Sequence, residues 1–395
     1  MTALLKKAKD KLRCCRSRLG IKKRQLFMRC CRIFPVDKNK AVFMSYQGKF
    51  YNDNPRAVFE ELVRQRPDMK CVWLISDENA GIKHARTVLP YTYEAWYHLA
   101  TAGLWVDNMR KEKWLPKRRK QYYVQTWHGS IALKKVEKDT EDTLSPEYIA
   151  SAKHDSEMAD LFIAGNRWRA ENFRNAFWYN GRILLLGLPK SDIFYKDPAP
   201  YHRKVCRFFG AEEDTRFCVY LPTFRKDGSV DCYDIDYRRL HKALVEKWGG
   251  SWRILVRLHP NIKNRSDELS YDSTVLNATS YKETNELTAA SELLITDYSS
   301  CMFDGLEAGK RVLIYASDVA EYMNERDLYF KLEELPFPVA ENNDGLIGNV
   351  LGFDDEAYER NTAEFKEQLG FCNGPDSSEK VVSYILNELN GGNEH

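Results

Sequence analysis

His128 stands in Trp127-His128-Gly129-Ser130, directly after the apolar run from Tyr122 to Thr126. A neutral imidazole can take a proton from a hydroxyl nucleophile near neutral pH. Beside a glycine at a strand-to-loop junction it is placed to meet a ligand, although a histidine filling a polar niche fits this segment equally well when it is read alone. Lys134 and Lys135 follow a few residues on. A second histidine, His259, follows the run from Arg253 to Leu258 and precedes Pro260. The residue before a proline is held extended, which points His259 out of a strand end. Thr223 and Arg225 in Pro222-Thr223-Phe224-Arg225-Lys226, together with Arg257, offer a hydroxyl and cations suited to phosphate oxygens. Thr296-Asp297-Tyr298-Ser299-Ser300, with Asp304 after it, adds hydroxyls and backbone N–H groups at a helix start. That setting favours phosphate and is equally compatible with plain helix capping. Any one of these segments is weak evidence; together they describe a holder of phosphate or nucleotide.

Such groups converge only if strands deliver them to one edge, as the carboxyl ends of an open parallel sheet do. Short apolar runs at Ala41 to Ser45, Cys71 to Ile75, Leu104 to Asn108, Tyr122 to Thr126, Leu161 to Ala164 and Ile183 to Leu186 read as buried strands. Pro55 to Gln65, Tyr93 to Ala102 and Arg167 to Phe177 read as the helices between them. After Lys196-Asp197-Pro198-Ala199-Pro200, read as a linker, a second series places strands at Phe217 to Leu221, Arg253 to Leu258, Glu292 to Thr296 and Arg311 to Tyr315. Its helices fall near Tyr237 to Lys247 and Met302 to Ala308. Two successive β/α alternations predict two doubly wound domains, at 35–195 and 201–361, with a helical segment at 362–395 and the ligand site in the cleft between them. A chain of 395 residues is long enough for that at roughly 150 residues per domain.

The charge is segregated. Residues 1–34 carry twelve Lys and Arg against Asp10 alone, a surplus of eleven positive charges; since the whole chain is at +3, the remainder carries −8. Leu5, Ala8, Leu12, Cys15 and Leu19 share one helical face in this arm, and Gly20 offers a stop or kink. A basic amphipathic helix suits an anionic membrane surface; a nucleic-acid arm would not need the apolar stripe, and a helix packed on its own domain is the plain alternative. No run of 18 apolar residues and no secretory signal is present, which predicts a protein of the cytosol. The ten cysteines include no Cys-x-x-Cys spacing and predict free thiols. Asp234-Ile-Asp236 spells Asp-x-Asp, but its place before a predicted helix favours capping over metal binding.

The set Trp127-His128-Gly129-Ser130, Leu133-Lys134-Lys135, Pro222-Thr223-Phe224-Arg225, Arg257-Leu258-His259-Pro260-Asn261 and Thr296-Asp297-Tyr298-Ser299-Ser300 with Asp304 resembles the CDP-glycerol glycerophosphotransferase family of teichoic acid primases and polymerases. Ser45, Gly48 and Asp53-Asn54-Pro55 resemble its first strand-end loop, and Gly187-Leu188-Pro189-Lys190-Ser191-Asp192 its Gly-x-Pro-Arg-x-Asp element. Gly374 to Val382 is similar to its C-terminal stretch.

The resemblance implies a GT-B fold of two Rossmann-like domains and a peripheral enzyme on the cytoplasmic face of the cell membrane. It implies attack by a hydroxyl of a lipid-linked acceptor on the glycerol-side phosphorus of CDP-glycerol, with CMP leaving. His128 takes the family's role of general base. His259, Thr223, Arg225, Arg257, Ser299 and Ser300 are then the candidates for holding the donor's phosphates, Asp297 and Asp304 orient donors or bind the nucleotide, and Lys134 and Lys135 hold the acceptor. No metal, cofactor or nucleic acid is expected. Lys190, Lys226 and Phe337 depart from the family's usual residues, and CDP-ribitol is the alternative donor. A nucleotide-sugar glycosyltransferase of the same fold, and a non-catalytic membrane or nucleic-acid binding protein, are the rival readings.

Overall fold

The structure, a computed structural model, describes residues 20–391 apart from 78, 226–227, 231 and 324–326. The first sheet contains β1 (Asp37–Met44), β2 (Lys70–Leu74), β3 (Ala85–Val88), β4 (Ala102–Asp107), β5 (Tyr122–Gln125), β6 (Leu161–Ala164) and β7 (Arg182–Leu185), in the order β3-β2-β1-β4-β5-β6-β7. Its helices are α1 (residues 20–30), α2 (Asp53–Gln65), α3 (Tyr93–Thr101), α4 (Pro146–Met158) and α5 (Arg167–Ala176). The second sheet contains β8 (Arg216–Leu221), β9 (Trp252–Val256), β10 (Val275–Asn277), β11 (Leu293–Thr296), β12 (Arg311–Tyr315) and β13 (Val339–Ala340), in the order β10-β9-β8-β11-β12-β13. It carries α6 (Ala199–Phe209), α7 (Tyr237–Trp248), α8 (Thr284–Ala290), α9 (Cys301–Glu307), α10 (Val319–Met323), α11 (Asn343–Leu351) and α12 (Asp355–Leu369). The last helix among the described residues is α13 (Ser377–Leu389).

Every strand pair is parallel, for example Ala41 opposite Cys71 and Ile295 opposite Tyr220. Parallel sheets need both faces covered, and the strand sequences provide for this. In β1, Val42 and Met44 enter a core shared with Met28 of α1 and Trp96 and Leu99 of α3. Ala41 and Phe43 enter the opposite one, with Val58 and Leu62 of α2. The second sheet alternates likewise, with Phe217 and Val219 on one face and Cys218 and Tyr220 on the other.

Three connections depart from the linear division that the sequence predicts. The 196–200 stretch is not a five-residue linker, because Ala199 and Pro200 begin α6. Proline fits a first helical turn, whose N–H groups have no intrahelical partner. The C-terminal segment does not stay together either. Phe365 and Leu369 of α12 enter the second sheet's core, whereas Val381, Val382 and Ile385 of α13 are buried with α2 against the first sheet. Finally, Ile131 and Leu133, in the loop after β5 of the first sheet, are buried in the core of the second.

Of the N-terminal arm, residues 1–19, and with them the expected amphipathic stripe, lie outside the described residues. Gly20 lies within α1. That helix docks through Met28 and a Phe27–Tyr93 ring contact at 4.9 Å, with the Arg24 guanidinium 5.1 Å from the Trp96 ring centre. It leaves Leu26 exposed, and Ile33 and Phe34 just beyond it are exposed too. Among the described residues, no helix is long and apolar enough to cross a membrane.

Candidate active site

Strand order reverses between β1 and β4 in the first sheet and between β8 and β11 in the second. Loops leaving such a reversal part company and open a crevice at the carboxyl ends of the strands. The candidate residues stand on these two crevices, which face each other.

On the first, Asn108 follows β4. Its side chain accepts from the Tyr46 backbone N–H at 2.8 Å and donates to Ser45 Oγ at 3.3 Å, tying the loops after β1 and β4 together. Its carbonyl oxygen lies 3.0 Å from His128 Nδ1. A carbonyl can only accept, so Nδ1 carries the hydrogen and Nε2 keeps its lone pair, the tautomer a base requires. The Trp127 indole stacks on the imidazole at 4.5 Å, and the Tyr46 ring lies 5.6 Å away. Burial lowers the His128 pKa below the ordinary imidazole range; the Asn108 carbonyl and Asp53 pull the other way, while Arg169 and Lys190 add to the depression. Tyr46, Gln47, Asp53 and Trp127 all hold positive φ, at 46°, 59°, 62° and 53°. Non-glycine residues keep this conformation only where surrounding contacts impose it, and these four sit in the loops and at the helix start that shape this crevice.

On the second crevice, Asp297 follows β11 and accepts from the Thr223 backbone N–H at 2.9 Å. Arg225 Nη1 lies 2.9 Å from the same carboxylate, and Nε and Nη2 donate to Asp318 at 2.6 and 3.0 Å. The Arg225 fork, expected among the phosphate ligands, is thus committed to two carboxylates and orients the Thr223 loop instead. Thr223 Oγ1 is buried without a hydrogen-bond partner among the described residues. Arg257 donates through Nε to the Tyr281 carbonyl at 3.2 Å, and burial lowers its pKa against the pull of Glu283. The His259 ring packs 4.7 Å from Phe224. Burial, then Arg257, Lys134 and Lys49, push the His259 pKa down to about 4. Near neutral pH it is therefore uncharged.

The halves meet between these groups. A Cβ built on Gly129 would stand 3.8 Å from Ser300 Oγ and 3.7 Å from Arg169 Nη2. Capping of α9 falls to Ser299, whose Oγ accepts from the Cys301 N–H at 3.4 Å; Ser300 makes no side-chain cap bond and faces the seam. Asp304 pairs with Lys190 of the first half at 3.3 Å, a contact between the halves. Lys134 lies 5.1 Å from the Tyr322 ring centre, while Lys135 is drawn to Asp327 at 3.4 Å on the surface. Asp-x-Asp is accounted for by capping and packing: Asp236 accepts from the Arg239 N–H at 3.0 Å, and Asp234 from the Tyr315 hydroxyl at 2.7 Å. The eight described cysteines are free thiols.

Residue types and spacing do not single out four further members of the site: Tyr46, Asn108, Arg169 and Glu283. Asn108 ends the apolar run that becomes β4, and its place at the carboxyl end of that strand is the signal that could have found it. Glu283 pairs with Arg56 of α2 at 3.4 Å, and burial raises its pKa to about 7. It belongs to no motif and is revealed only by the packing of the two halves. A cavity of about 310 Å³ opens there, lined by Asp53, Arg56, Lys190, Tyr201, Glu283 and Asn285 among others.

Fold and site together define an α/β protein of two facing doubly wound halves with a histidine-bearing interdomain cleft. The chain belongs to the CDP-glycerol:poly(glycerophosphate) glycerophosphotransferase family, whose profile matches residues 26–387. It is 30% identical over 359 residues to the teichoic acid glycerol-phosphate transferase of Staphylococcus aureus, covering 86% of this chain and 91% of that one. It is 29% identical over 364 residues to the teichoic acid poly(glycerol phosphate) polymerase of Staphylococcus epidermidis, covering 87% of this chain but spanning only 50% of that protein's length. The solved wall teichoic acid polymerase TagF has a TM-score of 0.83 at 25% identity over 96% of this chain and 97% of its own. A histidine variant of it soaked with CDPG gives 0.83 at 26% identity, covering 97% of each chain.

Proposed function

We propose that this protein transfers glycerol phosphate from CDP-glycerol to a hydroxyl of a lipid-linked acceptor, releasing CMP, in the synthesis of teichoic acid or a related surface polymer. The observation that carries the reading is His128: one ring nitrogen is satisfied by the Asn108 carbonyl at 3.0 Å, and the loop that bears it lies at the seam between the halves. The acceptor oxygen attacks the glycerol-side phosphorus and its proton passes to His128 Nε2. The bond from that phosphorus to the CMP oxygen breaks, and negative charge grows on CMP. Donors preorganised for that charge lower the barrier; Thr223, Arg257, Ser299, Ser300 and the neutral His259 supply them. Asp297 and Arg225 hold the Thr223 loop, and Lys134 meets phosphates of the acceptor.

The eleven surplus positive charges of residues 1–34, and the apolar side chains left exposed beside α1, support a peripheral seat on an anionic membrane. Deleting residues 1–19, which keeps α1 and its core contacts, then lowers co-sedimentation with anionic vesicles, while transfer to a soluble acceptor analogue persists.

The deciding measurement is nucleotide release from CDP-glycerol, CDP-ribitol and UDP-sugars offered with a defined lipid-linked acceptor. CMP from CDP-glycerol alone supports the reading. Preference for CDP-ribitol corrects the alcohol, and UDP release alone overturns the assignment. His128→Gln should abolish transfer while donor binding persists.

A further inference from the structure

We propose that Arg169 is a positioning residue for the transfer: its buried guanidinium clamps the loop that carries His128 and sets a fixed positive charge behind the imidazole that must accept a proton. Arg169 lies in the first turn of α5 and is 1% exposed. Its Nε donates to the Ser130 carbonyl at 3.2 Å, and Asn166 Nδ2 donates to the same oxygen at 3.1 Å. Its Nη1 donates to Asn172 Oδ1 at 2.8 Å, and Nη2 reaches the underside of Gly129. The loop is therefore held two residues beyond His128 by two donors converging on one carbonyl.

The partners of this guanidinium are a carbonyl and an amide oxygen, not a carboxylate. Arg110 shows the ordinary arrangement: with 6% of its side chain exposed, it pairs with Glu137 at 2.8 Å and Asp155 at 3.0 Å, and its pKa is raised. Among the described residues Arg169 has no carboxylate partner, and burial pulls its pKa down to about 9. Burying a charge without a counter-ion is costly. An apolar side chain would fill the same space without that cost, so the charge points to a role beyond packing.

The neighbouring imidazole supplies that role. His128 faces Asp53 from the start of α2, Lys190 from the 3-10 turn Pro189–Tyr195, Arg169 from α5, the Asn108 carbonyl after β4 and the Tyr46 ring after β1. Two cations oppose its protonation and one carboxylate favours it. Without Arg169, Asp53 is balanced by Lys190 alone, and the imidazole gains a proton at higher pH.

The inference rests on His128 serving as the base, and the test separates the two. The full chain, with CDP-glycerol and the lipid-linked acceptor, is followed across the acid limb of kcat/KM for the wild type, Arg169→Gln, Arg169→Met, Arg169→Lys and His128→Asn. The neutral variants are expected to move the midpoint of the limb upward by about half a pH unit or more and to lower the plateau several-fold. Arg169→Lys, which keeps the charge, should hold the midpoint and lose only part of the plateau. A lowered plateau with an unmoved midpoint in the neutral variants overturns the proposal, as does an equal shift in Arg169→Lys. Failure of both neutral variants to fold, alongside an Arg169→Lys protein of wild-type profile, assigns Arg169 to the fold and also overturns it. Retention of turnover by His128→Asn removes the base assignment itself, whatever Arg169 does.

Discussion

Lys190 of the first half stands 3.3 Å from Asp304 of the second, with 7% and 14% of their side chains exposed. Burial alone would strip the proton from such an amine, but Asp304, Asp53 and Glu307 outweigh it and hold Lys190 charged. Glu307 shows the other side of the arrangement: burial and its neighbour Asp304 raise its pKa to about 8. The pair is thus the centre of a buried ionic cluster that joins the halves. Lys190→Met leaves three crowded carboxyl groups without their cation and should destabilise the protein by about 3 kcal/mol or more. Asp304→Asn keeps the lysine beside Asp53 and Glu307 and should cost less, about 1–2 kcal/mol. Urea unfolding of the two variants against the wild type measures both; a Lys190→Met loss no larger than that of Asp304→Asn contradicts the cluster.

The depressed pKa of His128 fixes the sign of the pH response. On the proposed role of His128, protonation removes the base, so activity should fall as pH drops through that pKa. Because burial lowers it, the fall occurs below the value of about 6.5 of an unperturbed imidazole. His259 is already neutral there, so His259→Gln should lower the plateau of the pH–rate profile without moving the acid midpoint. A wild-type midpoint above 7 would count against this environment for His128.

The strands that position the chemistry were legible because each is built on a short apolar run: Leu161 to Ala164 and Arg311 to Tyr315 occupy the spans expected of them. The edge strands β3 and β13 were not. Ala85–Val88 and Val339–Ala340 are short, and β3 is half exposed, so periodicity has little to act on. Helix α4 went unread because its apolar residues are few, even though Ser145 and Pro146 form a good start. At the site, residue types pointed to His128, Thr223 and Asp297, but not to how Arg225 is spent. Two carboxylates claim that guanidinium, and one of them, Asp318, lies 93 residues away in sequence. Local motifs carry no record of such a partner.

Two glycines next to the cleft should behave differently as alanines. A Cβ on Gly129 meets only ordinary contacts at 3.6–3.8 Å, but it stands in the seam between Arg169 and Ser300. Gly129→Ala should therefore keep its unfolding midpoint and lose transfer rate. Gly187 holds φ +96° with Ser377 Cβ 2.8 Å from the added atom, where α13 meets the first half. Gly187→Ala should lose stability, visible in thermal unfolding, before any effect on rate can be measured. Equal destabilisation of the two would remove the distinction.

Leu133 offers a test of how the loop that carries His128 is held from the far side. It belongs to the loop after β5, yet it is 1% exposed in a core made by the second sheet, and its carbonyl accepts from the Tyr329 N–H at 2.7 Å. Truncating a buried leucine costs about 2–5 kcal/mol through lost burial and the cavity left behind. Here the cavity lies five residues beyond His128, on the strut that spans the two halves. Leu133→Ala should therefore lower urea stability and also reduce kcat under conditions where the variant remains folded. A control truncation, Leu240→Ala in α7, removes an equally buried leucine that packs behind the second sheet, away from this loop. It should lower stability comparably while leaving kcat close to wild type. If the two variants lose kcat to the same extent at matched stability, the loop does not depend on its anchorage in the second core.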